Sequence, residues 1–328
     1  MKTLGELLNV DSTLTLFKKE VGTFMASDDF IKSSEYQTEM VPVVDEDYFF
    51  NPEIARYICL AFKMSKPLYL FGHSGTGKSS ALEQWCARMK RPFMRVQHTA
   101  GLEESQVVGQ YIVTKDGESS ITKFELGPLA VAMKHGMIYC ADEYDFAQPS
   151  VVAIYQAVLE GKPLIIKEAD AENRIIYPHP EFRFCATGNT NGSGDETGLY
   201  NGTILQNTAN YERFAICAQV TWMDEKLEKT ILKNKTILSS VSISEEAKDL
   251  IVDGICNFAK QMRKKFEEGE AEFAPSIRVL MHALDVGWAL GNIRLGFQLS
   301  YSNRMSALNR IATESVINNF IADNYVGA

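Results

Sequence analysis

The chain has 328 residues, 45% apolar and 23% charged, so it has the composition of a globular protein large enough to bury a core without disulfides or metal staples. Its net charge of −9 argues against a protein whose main task is to coat nucleic acid. The first 50 residues are strongly acidic, and we interpret residues 1–40 as an acidic N-terminal segment and linker. We find no signal-like apolar stretch near the N-terminus and no run of about 18 apolar residues, so we expect a cytoplasmic protein without membrane contact.

From Asn51 onward, short apolar runs alternate with helical patterns. Asn51 is followed by proline, a favourable helix start, and Gly127-Pro128 opens a later helix. The patterns predict helices over residues 51–64, 77–89, 127–135 and 150–159, and strands over residues 67–71, 93–97, 137–141, 182–186 and 214–220. This alternation predicts an α/β domain at residues 41–222, with a mostly parallel sheet covered by helices on both faces.

Two β-hairpins are predicted to interrupt this alternation, and a helical region is predicted to follow it. The first hairpin spans residues 111–124 around an Asp-Gly turn, and the second spans residues 164–177 around a polar loop. Beyond about residue 223, helical spacing extends over residues 244–268, 276–290 and 303–322. We therefore predict a small all-helical domain at residues 223–328.

Residues 72–79 read Gly-His-Ser-Gly-Thr-Gly-Lys-Ser and fit the phosphate-binding pattern G-x-x-x-x-G-K-[ST], between a predicted strand and a helix. Glycines let successive backbone N–H groups face phosphate oxygens, and the helix N-terminus adds partial positive charge. We expect Lys78 to reach the β- and γ-phosphates of ATP, and the Ser79 hydroxyl to ligate Mg²⁺. The predicted nucleotide-binding residues are Gly72, Ser74, Gly75, Thr76, Gly77, Lys78 and Ser79.

Two acidic residues, Asp142 and Glu143, directly follow the apolar run at 137–141. In a parallel sheet this strand end is expected to lie near the phosphate loop. We expect Asp142 to hold Mg²⁺, through water, and Glu143 to orient and polarise the attacking water. An acidic strand end is a weak signal by itself, since a solvated carboxylate is the more frequent case. The upstream phosphate loop reverses that preference.

Three further residues are candidates for stabilising charge during phosphoryl transfer. Asn189 follows the strand predicted at 182–186 and could bond the γ-phosphate or the attacking water, although its surroundings also read as a loop. Arg213 precedes the last predicted strand without an obvious local partner, and Arg278 lies at the start of a helix in the second domain. Either arginine could neutralise developing charge, but a surface salt bridge is the more frequent role of a single arginine.

The order of these motifs resembles the MoxR-like branch of the AAA+ ATPases. The chain is more similar still to the ATPase subunit of aerobic cobaltochelatase, the CobS type. The most specific matches are residues 108–117, 142–145, 177–184 and 186–203, and the last run contains Gly-Asp-x-Thr-Gly-Leu-Tyr-x-Gly-Thr. Gly188 departs from the pattern, where alanine is usual, and so does Glu212, where aspartate is usual.

The resemblance implies an AAA+ P-loop fold with a helical lid, in a motor that forms a ring, usually a hexamer. It implies that Asn189 is the first sensor, that Arg278 is the second, and that Arg213 is an arginine finger completing the next subunit's site. It also implies a partner with a von Willebrand A-type domain and a client complex. In cobaltochelatase, that machinery helps to insert cobalt into a tetrapyrrole.

Four functions are compatible with the sequence. The leading one is an ATP-hydrolysing remodeller of the cobaltochelatase type. The alternatives are a MoxR-type chaperone for another client, a nucleotide-gated assembly protein with little turnover, and a motor serving a DNA-directed partner. The acidic balance disfavours nucleic acid, whereas the presence of Glu143 favours hydrolysis over binding alone.

Overall fold

The computed structural model describes residues 3–10, 15–19, 21–27, 30, 39–116, 119–192, 194, 202–204 and 207–322. Two compact units are present. The first comprises Met1–Asp45, Phe50–His73 and Gly77–Thr221, and the second comprises Glu46–Phe49, Ser74–Thr76 and Trp222–Ala328. Most of the family-specific run at 194–203 lies outside the described residues, as does the predicted turn at 117–118.

The strands belong to one central sheet and two hairpins. They are β1 (Leu68–Phe71), β2 (Phe93–Gln97), β3 (Gly109–Asp116), β4 (Ser119–Leu126), β5 (Ile138–Asp142), β6 (Leu164–Ile165), β7 (Ile175–Ile176), β8 (Arg183–Gly188) and β9 (Ile216–Gln219). The central sheet has the order β2-β5-β8-β1-β9, and each of its pairs is parallel. Parallel pairing brings the carboxyl ends of β1, β5 and β8 to the same edge, where the predicted site residues begin.

The helices of the first unit flank this sheet. They are α1 (Leu4–Leu8), α2 (Pro52–Lys63), α3 (Lys78–Arg88), α4 (Glu104–Val108), α5 (Pro128–His135), α6 (Pro149–Leu159) and α7 (Thr208–Tyr211), with 3₁₀ turns at Val21–Thr23 and Tyr144–Phe146. The main apolar core includes Met133 of α5, Tyr139 of β5 and Tyr155 of α6, which are fully buried. This core fixes the strands whose ends carry the site.

The second unit is helical throughout its described residues beyond 222. It contains α8 (Glu225–Lys235), α9 (Glu245–Glu267), α10 (Ile277–Ala289), α11 (Ile293–Ser300) and α12 (Ala307–Phe320), with 3₁₀ turns at Ile237–Ser239 and Ser302–Arg304. Its apolar core includes Phe258 and Phe297, whose rings pack edge to face 4.9 Å apart. A buried two-point ion pair joins Arg263 of α9 to Glu228 of α8, with bonds of 2.9 and 2.6 Å.

The predicted fold class is confirmed: the first unit is a P-loop α/β fold with hairpin inserts, and a helical region follows it. Several details differ. Asp142 is the last residue of β5 rather than the residue after it, and the second hairpin pairs only two residues on each strand. The helix expected over 303–322 divides into a 3₁₀ turn and α12.

The N-terminal region contributes to the first unit where it is described. Leu4, Leu8, Phe17 and Phe24 are buried, and α1 contacts α3. The boundary proposed near residue 40 stays a prediction, because residues 31–38 are outside the described part of the chain. Within the described residues, no helix combines the length and apolarity needed to cross a membrane.

Candidate nucleotide site

Three glycines of the phosphate loop, which follows β1, have backbone conformations that other residues adopt only with strain. Gly72, Gly75 and Gly77 have φ values of 143°, 78° and 88°, in the region that favours glycine. A Cβ on Gly72 would lie 2.2 Å from the carbonyl oxygen of Val220, so a side chain would also collide with the neighbouring backbone. Gly77 precedes α3 and offers it no side-chain cap. The first N–H groups of α3 are therefore suited to bind an anion such as phosphate.

Lys78 is a buried cation at the start of α3, only 8% exposed. Its Nζ donates to the carbonyl oxygens of Gly72 and His73, at 2.6 and 2.9 Å. It also donates to Asn189 Oδ1 at 3.3 Å, although the two residues are 111 positions apart in sequence. A buried ammonium requires such acceptors, so Lys78 is not the solvated lysine of an ordinary glycine-rich turn.

Asp142 is the carboxylate on which the strand ends converge, and it is 2% exposed. Its Oδ1 accepts hydrogen bonds from the Ser79 hydroxyl at 2.6 Å and from the Thr187 hydroxyl. Its Oδ2 accepts two from Arg95, through Nε at 2.7 Å and through a terminal guanidinium nitrogen. Burial alone would raise the pKa of Asp142, but these hydrogen bonds outweigh it and hold that pKa below its ordinary value. Asp142 is therefore ionised, with both oxygens engaged.

Glu143 is held in an uncommon backbone conformation next to Asp142. Its φ and ψ of 55° and 43° lie in the left-handed region, which few residues other than glycine adopt. The carboxylate of Glu143 accepts a hydrogen bond from Gln97 Nε2 at 2.9 Å. Gln97 and Arg95 are alternate residues of β2 and so share one face of that strand. Side chains on that face of β2 therefore bond both carboxylates: Arg95 bonds Asp142, and Gln97 bonds Glu143.

The two predicted arginines are not joined to this group by any hydrogen bond or ion pair between described residues. Arg213 Nε donates to Glu160 Oε1 at 2.8 Å, and another of its nitrogens donates to the Ala209 carbonyl at 2.6 Å. This surface ion pair is the role that we expected to be more frequent for a single arginine. Arg278 is exposed in the first turn of α10, in the second unit.

Four residues of this environment were not anticipated from the sequence: Arg95, Gln97, His98 and Thr187. The backbone N–H of His98 donates to the Asp142 carbonyl at 2.8 Å, and His98 Nε2 lies 2.8 Å from the Tyr155 hydroxyl. Burial lowers the pKa of His98, which favours the neutral ring. The sequence signal for the first three was weak: the run Arg-Val-Gln-His has polar residues at the end of a predicted strand, but it does not indicate which residues they contact.

A family model described as AAA domain (dynein-related subfamily) matches residues 67–200, which contain the phosphate loop, Asp142 and Asn189. The chain is 32% identical over 273 residues to the aerobic cobaltochelatase subunit CobS of Sinorhizobium sp., covering 82% of this chain and 80% of the relative. The chain belongs to the CobS family of AAA+ ATPases. The family assignment agrees with the resemblance drawn from the motifs.

Other relatives of this CobS-family chain are more distant. An uncharacterized protein of Staphylococcus saprophyticus is 26% identical over 226 residues, covering 68% of this chain and 79% of the relative. Among solved structures, a mutant of Thermotoga maritima RuvB has 13% identity and a TM-score of 0.44, covering 86% of this chain and 89% of the other. A likeness that distant carries no functional argument.

Replacing Arg95 with alanine is expected to lower the Mg²⁺ concentration needed for half-maximal Mg²⁺-dependent ADP binding. The guanidinium would no longer compete for Asp142 Oδ2, and a hydrogen bond to a charged group has a net value of about 1.5 kcal/mol, so we expect a decrease of roughly tenfold. Fluorescence titration with a labelled ADP measures this. Arg56→Ala, on the surface of α2, is the matched control. A higher Mg²⁺ requirement in Arg95→Ala would show that Arg95 orients Asp142 rather than competing for it.

Proposed function

We propose that this CobS-family chain binds ATP with Mg²⁺ and hydrolyses it to ADP and phosphate. The observation that carries the proposal is the convergence of three strand ends: Ser79 bonds Asp142 at 2.6 Å, and Lys78 bonds Asn189 at 3.3 Å. A cation, a hydroxyl, a carboxylate and an amide in this arrangement are the groups that phosphoryl transfer to water requires.

The proposed roles follow from the chemistry of each side chain. Lys78 and the N–H groups of the loop bind the phosphates, and Asn189 senses the γ-phosphate or the attacking water. Ser79 and Asp142 would hold Mg²⁺, which when bound neutralises phosphate charge. The described residues contain no group of three or more His, Cys, Asp or Glu side chains suited to a metal. Glu143 accepts a proton from the attacking water.

We further propose that the active form is a ring, in which Arg213 and Arg278 contribute to the nucleotide sites. In the single chain Arg213 is half-buried and paired with Glu160, which is itself shared with Lys162 at the surface. Exposed pairs of this kind are weak and exchange readily. Arg213 is therefore able to leave Glu160 and neutralise charge in a neighbouring subunit's site, as an arginine finger. Arg278, exposed at the start of α10, is the residue that we propose as the second sensor.

The proposed output is remodelling of a partner complex, as in cobaltochelatase-like metal insertion. The relative CobS is named as a subunit, which supports a role within a complex. Apolar side chains exposed on the hairpins offer binding surface: Tyr111, Val113, Ile121, Ile165, Ile175 and Tyr177. A von Willebrand A-type protein is the partner we propose. A MoxR-type chaperone acting on another client would use the same surface. The presence of Glu143 beside Asp142 favours turnover over a binding-only assembly protein.

Replacing Glu143 with glutamine is expected to preserve ATP binding and to lower phosphate release by about a hundredfold or more, because the amide cannot accept the proton of water. Binding is measured by equilibrium titration with ATP, and turnover by released phosphate. Glu104→Gln, an exposed change on α4, serves as the control. Turnover at the wild-type rate in Glu143→Gln would refute the role of this residue as base.

Replacing Arg213 with alanine is expected to abolish most turnover, and mixing with Lys78→Ala subunits is expected to restore part of it. The first variant keeps its phosphate loop, and the second supplies the arginine in trans. Phosphate release is measured across a mixing series. Glu160→Ala, which breaks the local ion pair but leaves the arginine, should stay active. If mixtures are no more active than the sum of the two variants, the finger does not act between subunits.

A further inference from the structure

Asp145 is a fully buried carboxyl in the 3₁₀ turn that follows the acidic pair. Its Oδ2 accepts hydrogen bonds from the backbone N–H groups of Asn189 and Thr190, at 2.8 and 3.0 Å. The Thr190 hydroxyl donates to the same oxygen at 3.2 Å. Among the described residues, Oδ1 has no hydrogen-bond partner. The hydrogen bonding of this side chain is therefore devoted to one element, the turn that follows β8.

Packing alone does not account for a carboxyl at this position. Burial raises the pKa of Asp145, against the effect of the three hydrogen bonds, so the site is unfavourable for a charge. A buried oxygen without a partner adds a further cost, and an apolar side chain of similar size would avoid both. The benefit of Asp145 must therefore lie in what its three hydrogen bonds fix.

The same turn is restrained from its other side by Tyr69 of β1. The Tyr69 hydroxyl donates to the Thr190 carbonyl at 2.6 Å. A Cβ at Gly188 would lie 1.9 Å from that hydroxyl oxygen and 3.1 Å from Asp145 Cγ. This collision explains why a glycine stands at position 188 in this chain. The turn is thus bonded at the amides of Asn189 and Thr190 by Asp145 and at the Thr190 carbonyl by Tyr69.

We infer that Asp145 is a positioning residue that fixes Asn189 relative to Lys78 and Glu143 in the proposed ATPase reaction. Asp145 is two residues from Glu143 in sequence and holds the backbone of Asn189, whose side chain bonds Lys78. The position of Asn189 relative to Glu143 therefore depends in part on this one buried side chain. This inference rests on the proposed function.

The test compares Asp145→Ala and Asp145→Asn with Val151→Ala, a buried change in the apolar core on α6. Measured for each protein are the melting temperature, the equilibrium affinities for ADP and ATP, kcat and KM. Asp145→Ala should lower kcat about tenfold or more and lower the ratio of ATP to ADP affinity, because Asn189 no longer meets the γ-phosphate correctly. ADP affinity, which depends on the phosphate loop, should change less than about twofold.

The two other variants separate positioning from stability. Asparagine keeps an oxygen for the three donors and puts its amide where Oδ1 has no partner, so Asp145→Asn should retain kcat within about threefold. Val151→Ala should keep kcat despite a lower melting temperature. The inference is overturned if wild-type protein hydrolyses ATP and Asp145→Ala is no slower than Val151→Ala, or if Asp145→Asn is as slow as Asp145→Ala. Absence of turnover in the wild type would overturn the proposed function and this inference together.

Discussion

The carboxylate of Asp142 is the contact on which the site depends. Hydrogen bonds reach it from α3 through Ser79, from β8 through Thr187 and from β2 through Arg95. These elements are far apart in sequence, and a parallel sheet with aligned carboxyl ends is what brings them together. The buried apolar strands set the positions of the groups, and Asp142 supplies the charge that orders them.

Hydrogen bonds to other groups of the protein restrain the side chains of the candidate site. Lys78 bonds loop carbonyls and Asn189, while Glu143 bonds Gln97. These hydrogen bonds hold the side chains near the carboxyl ends of the parallel strands. The same bonds also have to be exchanged for bonds to phosphate and water, so nucleotide binding is a competition with groups of the protein.

The sequence was sufficient where a local pattern determines structure. The apolar strands predicted at 67–71 and 137–141 and the two hairpins have period or turn signals, and the structure contains these strands and strand pairs with small shifts in their bounds. The helix α8 was not predicted, because Glu-Lys-Leu-Glu-Lys-Thr-Ile-Leu-Lys-Asn-Lys is mostly charged and exposes only a narrow apolar stripe. The 3₁₀ turn at Ser302–Arg304 was not predicted either, because three residues are too few to give a recognisable periodic pattern.

The features that could not be predicted from the sequence are contacts between residues that are far apart in the chain. Nothing near Arg95 or Gln97 in sequence indicates that their partners are 46 or 47 residues away. The pairing of Arg213 with Glu160 across 53 residues was equally invisible, and so was the collision that requires Gly188. These contacts depend on the order of the strands in the sheet, and the spacing of apolar residues along the chain does not specify that order. Similarity to CobS identified the family, but it does not explain why these side chains meet.

Nucleotide binding by purified protein tests the central claim most directly, with Lys78→Ala as the comparison and circular dichroism to verify folding. We predict that wild-type protein binds ATP in the presence of Mg²⁺ and releases phosphate. We predict that Lys78→Ala, folded but without the buried ammonium, binds ATP at least about tenfold more weakly and releases no phosphate. Wild-type protein that binds no adenine nucleotide, or a Lys78→Ala variant that binds and hydrolyses ATP as well as the wild type, would contradict the claim.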